Sequence, residues 1–125
     1  MRLEQLQVQC FMEKAGQECP MKPKMPSDKV QNLRIELIDE ELQELSEAFV
    51  NQNIVEVADA IGDLMVVVIG AGVACGIDLA PVWDEINRSN MSKFIDGHRR
   101  EDGKWMKGPS YSPANLTPII QEQLK

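Results

Sequence analysis

The sequence predicts an all-α protein built on a four-helix-bundle-type subunit. Three observations predict it. Apolar residues recur at helical spacing in successive segments, helix-start and helix-stop residues stand at the ends of those segments, and no convincing run of period two occurs in 125 residues. With 43% hydrophobic and 26% charged residues, the chain is large enough for one domain with its own core and too short for two. Residues 1–125 are therefore read as a single domain.

Leu3, Leu6, Cys10 and Phe11 give the first helix its spacing, and Gly16 ends it. Pro20, Pro23 and Pro26 make 17–26 an extended connector. Ser27 then caps a long second helix, with Asp28 in its first turn, running to about Phe49. Asn53 caps a third helix that stops at Gly76, and Asp78 with Pro81 opens a fourth that fades near Met91. From Ser92 the chain turns polar and glycine-rich, until Thr117-Pro118 opens a short terminal helix.

A net charge of -7 works against binding polynucleotides or anionic lipid. The first eight residues lack the apolar core of a secretory signal. The longest apolar run, 64–77, is 14 residues against the ~20 that cross a bilayer, so no membrane partner is expected. Cys10, Cys19 and Cys75 fit no C-x-x-C pairing, and with His98 the sole histidine there is no zinc constellation. A reducing, cytoplasmic setting is expected.

The acidic residues are concentrated. Residues 28–63 hold ten of the 20, against only Lys29 and Arg34, a local charge of 2 minus 10, or -8. Most fit a solvated helix face. In the second helix, however, Glu41 falls near the middle of the apolar side formed by Leu33, Leu37, Leu45, Ala48 and Phe49, and Glu44 lies at its edge. The third helix is apolar in nearly every direction, as a buried helix is, yet Glu56, Asp59 and Asp63 form one acidic stripe along it.

Carboxylates grouped in a poorly hydrated site require a compensating cation, and oxygen ligands select a hard one: Mg²⁺, with Mn²⁺ as substitute. The alternative is protonation, or pairing with Arg34, which also points to the apolar side. A di-iron carboxylate bundle would need Glu-x-x-His pairs, and an EF-hand a D-x-D-x-D-G loop; neither is present. Carboxylates alone, with no Ser or Cys beside a His, point to metal-assisted attack by water.

The residues Glu40, Glu41 and Glu44 in IDEELQEL, followed by Glu56, Asp59 and Asp63 in EVADAIGDL, resemble the E-E-x-x-E and E-x-x-D motifs of the all-α nucleoside triphosphate pyrophosphohydrolases. That superfamily comprises the MazG-like and phosphoribosyl-ATP pyrophosphohydrolase-like proteins. The Asp before an apolar run is Asp63, and the matching Glu position falls on Ala60, so both Glu56 and Asp59 stand as candidates to complete the ligand set. The stretches GIDLAPVWDEINRSNMSKF and RREDGKWMKGPSYSPANL resemble the C-terminal half of a phage and bacterial branch. Asn87 and Met12 stand where that branch often has histidines.

The resemblance implies cleavage of a nucleoside triphosphate to monophosphate and pyrophosphate. In that reading Glu41, Glu44, Glu56, Asp59 and Asp63 hold the metal, and Glu40 orients or deprotonates the water. From Arg88 to Lys107 six bases face three acids, reversing the overall balance. Asn90 and Lys93 are the first candidates for phosphate contacts, Lys107 and Tyr111 the second. Phe11 and Trp105 are candidates to stack on a base. Three other helices, one of them short, can hardly cover so apolar a third helix, and Gly70, Ala71, Gly72 and Ala74 allow close approach. A partner subunit is therefore expected to complete the bundle, in a homodimer or a dimer of dimers. The rival reading is a non-catalytic helical dimerisation or adaptor module, which has no reason to carry Glu41 and Asp63 on apolar faces.

Overall fold

A computed structural model describes the whole chain, Met1–Lys125, and 64% of it is helical. The helices are α1 (Leu3–Lys14), α2 (Asp28–Val50), α3 (Ile54–Ala74), α4 (Leu79–Met91) and α5 (Thr117–Leu124). Between α4 and α5 lie one 3-10 turn, Ser92–Phe94, and two short antiparallel strands, β1 (His98–Arg99) and β2 (Trp105–Met106), with His98 opposite Met106. The chain falls into two compact units, Met1–Asp78 and Leu79–Lys125.

In the first unit α1 and α2 both pack on α3. Ser27 caps α2 as expected, its Oγ accepting from the Val30 amide at 3.3 Å. Asn53 caps α3, its Oδ1 accepting from the Val55 and Glu56 amides at 3.1 and 3.2 Å. Only Asn51–Asn53 separates the two helices, which makes them an antiparallel hairpin. α3 stops two residues before the expected Gly76, which takes φ +68° and donates to Val73 O at 2.9 Å. A side chain there would collide with the Lys22 carbonyl of the proline-rich connector, and that connector is tied down by Lys24 N donating to Cys75 O at 2.9 Å.

The core is small: Val8 and Met12 of α1 against Val73 and Ala74 of α3, with Cys19, Val30 and Ile69 around them. One expectation is corrected here. The inward face of α1 is Gln5, Val8 and Met12, not Leu3, Leu6 and Phe11, which are exposed. Both sides of α1 are moderately apolar, and Gln5 settles the choice because its Nε2 donates to Ile77 O at 2.7 Å. As expected, α3 is not enclosed by its own chain. Val55, Met65 and Val68 are 74%, 53% and 49% exposed, because α1 and α2 cover only part of its circumference. Taken whole, its 21 residues are long and apolar enough to cross a membrane by length and composition, and a third of its most apolar stretch is buried.

The second unit is held by polar ties. Glu85 bonds Arg88 at 2.7 Å and accepts from the Asn115 amide at 2.7 Å, which holds its carboxyl down at about 2. Arg88 also donates to Ser112 Oγ at 3.0 Å and Pro113 O at 3.1 Å, fixing 112–115 against α4. The β1–β2 hairpin has no counterpart in the hydrophobic pattern. Two-residue strands are too short to show a period of two, and a turn at Gly103 (φ +90°), braced by an Arg100–Asp102 ion pair, closes them.

Candidate active site

The hairpin register decides which carboxylates meet. Glu41 lies ten residues before the Asn51–Asn53 loop and Asp63 ten residues after it, so antiparallel packing brings them level. Glu44 is one turn from Glu41 on the same face. One carboxylate oxygen from each of Glu41, Glu44 and Asp63 lies within 4.8 Å of the other two. No Lys or Arg forms an ion pair with any of the three. Glu41 is half-buried, and its Oε2 is sealed from solvent with no hydrogen-bond partner. Burial pushes its carboxyl above the usual range, and the adjoining Glu44 carboxyl and the charges of Asp63 and Glu40 push the same way.

A buried, unpartnered oxygen in a set of three carboxylates fits a hard divalent cation, which prefers oxygen donors and would offset their repulsion. The remaining acidic candidates stand apart from this group. Glu40 is exposed, as are Glu56 and Asp59. Glu56 lies seven residues from Asp63, about 10 Å along α3, and Asp59 four residues, about 6 Å, at the helical rise of ~1.5 Å per residue.

Glu41 and Asp63 open into a cavity of about 310 Å³ whose walls include Val8, Phe11, Leu37 and Val66. Arg34 and Gln17 line it too, and also border a larger space of about 790 Å³. Arg34 does not pair with the carboxylates, the alternative open from the sequence. It is 7% exposed and donates from Nη1 to Gln17 Oε1 at 3.4 Å and from Nη2 to Val67 O at 3.3 Å. Helical phase pointed Arg34 inward, but nothing in the sequence singled out Gln17.

The phosphate-binding candidates lie in the second unit. The ammonium groups of Lys93 and Lys107 sit 5.8 and 5.0 Å from the centre of the Tyr111 ring, so these three are together. Ser89 Oγ lies 3.3 Å from the Tyr111 hydroxyl. Asn90 is exposed in the last turn of α4. Trp105 packs against Phe94 with ring centres 5.0 Å apart and donates to Lys93 O at 2.8 Å, the role of a structural aromatic.

A family model described as phosphoribosyl-ATP pyrophosphohydrolase matches residues 8–90. The chain belongs to the phosphoribosyl-ATP pyrophosphohydrolase family. It thereby falls in the MazG-like all-α superfamily, and family membership makes it a pyrophosphohydrolase acting on a nucleotide phosphoanhydride. The family is typically metal-dependent, and the Glu41, Glu44 and Asp63 cluster lies inside the matched span. No curated protein matches this phosphoribosyl-ATP pyrophosphohydrolase family member in sequence.

Proposed function

We propose that the protein is a Mg²⁺-dependent nucleoside triphosphate pyrophosphohydrolase that converts (deoxy)nucleoside triphosphates to the monophosphate and pyrophosphate, a nucleotide-pool house-cleaning reaction. The observation that carries this reading is the unpartnered Glu41 Oε2 among three close carboxylates. Glu41, Glu44 and Asp63 would hold the ion, with Mn²⁺ as substitute, and Asp59, one turn from Asp63 on α3, is nearer than Glu56 to supply a further contact. A bound divalent cation neutralises phosphate charge and acidifies water at such a site. Glu40, one residue before Glu41, orients the attacking water and takes its proton. In the second unit, Asn90, Lys93, Lys107 and Tyr111 are the proposed phosphate-binding residues, acting by hydrogen bonds and charge. The working form is a homodimer or pair of dimers in which a second copy covers α3.

A panel of ribo- and deoxynucleoside triphosphates, assayed for pyrophosphate release with and without Mg²⁺, tests the reading. Monophosphate and pyrophosphate are expected in equal amounts, with no turnover when the metal is chelated. Release of orthophosphate, or turnover indifferent to chelation, contradicts it.

A further inference from the structure

Arg34 is a buried cation with donors to spare. Its guanidinium carries five N–H groups, spends two on long bonds of 3.4 and 3.3 Å, and keeps Nε sealed without a partner. Gln17 gives its carbonyl oxygen to Arg34, so what it has left to offer a ligand is its amide NH₂. This part of the 310 Å³ cavity therefore presents hydrogen-bond donors and no free side-chain acceptor. The position is built rather than incidental. Arg34 lies against Gly70 so closely that a Cβ on that glycine would overlap Nη2, so this placement requires glycine there.

Arg34 and Glu41 are seven residues apart on α2, two turns along the same face and about 10 Å along its axis. Leu37, one turn from Arg34 toward Glu41, lies between them on that face, and Val8, Phe11 and Val66 add apolar walls to the same cavity. Carboxylates, then apolar walls, then donors match a nucleotide in that order: phosphates at the metal-holding carboxylates, a flat base against the apolar walls, and the far edge of the base at Arg34 and Gln17. We propose that Arg34 and Gln17 form a base-reading site selecting nucleotides with a keto oxygen at that edge (O6 of guanine, O4 of thymine and uracil) over adenine and cytosine, which carry an amine at the corresponding position. This rests on the nucleotide reading above. A keto oxygen accepts from the guanidinium and the amide together, whereas an amine at the same position meets donors and leaves only a neighbouring ring nitrogen to accept.

The test is equilibrium binding of the four α,β-methylene deoxynucleotide analogues to the full-length protein with Mg²⁺ present, beside turnover of the corresponding triphosphates. The guanine and thymine analogues are expected to bind at least tenfold more tightly than those of adenine and cytosine. Gln17→Glu places an acceptor at the same edge, and the preference should narrow tenfold or invert. Gly70→Ala, which pushes the guanidinium aside, should level all four. Equal binding of the four analogues, tighter binding of the amino bases, or no binding at all overturns the inference. Equal binding with pyrophosphate still released leaves the hydrolase reading standing, whereas tight, selective binding without turnover sinks that reading alone.

Discussion

Glu41→Gln and Asp63→Asn are each expected to lower kcat by about 10² or more, the scale on which single electrostatic groups act in active sites. Each substitution keeps size and removes the charge that would hold the ion. The metal-free behaviour separates lost chemistry from lost folding. In the parent, burial and the neighbouring acids oppose ionisation of Glu41. A neutral amide escapes that penalty, so metal-free Glu41→Gln should melt no lower than the parent. Its melting temperature should respond less to Mg²⁺, because a cation stabilises only the state that binds it. Near-normal turnover of either variant at saturating Mg²⁺ would remove these residues from the metal site. Glu47→Gln, on the exposed side of α2, should leave activity unchanged.

The protein should sediment as a particle of at least twice its 14.1 kDa chain mass. Ile61, Met65 and Val68 of α3 are all exposed and recur at spacings of four and three, forming a continuous apolar stripe. Ile35, Leu42 and Phe49 of α2 are 66%, 52% and 56% exposed and recur every seven residues, forming another. Two such stripes on adjacent helices exceed the scattered apolar exposure ordinary on a soluble monomer. A second copy covering them would bury on the order of 800 Å² per subunit, the usual size of a stable interface. Met65→Lys should therefore shift the population toward monomers at micromolar concentration, seen by light scattering. A parent protein that remains a compact, active monomer refutes the expectation, as does retention of the dimer by Met65→Lys together with a second charge at Leu42.

The helices were legible because their ends carry local chemistry. Ser27 and Asn53 cap where their side chains predict, and the proline connector and the Thr117-Pro118 start need only near neighbours. What was not legible depends on distant partners. Whether Gln5 or Leu6 turns inward on α1 is decided by the Ile77 carbonyl, 72 residues away. Pairing between 98–99 and 105–106 arises from a turn rather than from strand pattern. At the site, helical phase identified Glu41 and Asp63 as misplaced carboxylates, and hairpin register then set which of the acids on α3 comes level with Glu41. Phase groups Glu56, Asp59 and Asp63 by direction, but it ignores height along the axis, and height separates Glu56 from the cluster. Arg34 turns inward as its phase indicates, but its partner Gln17 reaches it from a connector that has no periodicity to read.

The three-residue loop between α2 and α3 has a consequence for the order of folding. Glu41 and Asp63 are only 22 residues apart in the chain, and the hairpin that joins them can close before α1 or the second unit is in place. Closing it brings like charges together, so repulsion among the carboxylates belongs to the folding barrier as well as to the native state. A divalent cation captured at that moment should speed folding more than it slows unfolding, giving the site a φ-value near one. Stopped-flow refolding across a Mg²⁺ series would show this as a rising folding arm over an almost fixed unfolding arm, and the reverse pattern would place metal capture after the barrier.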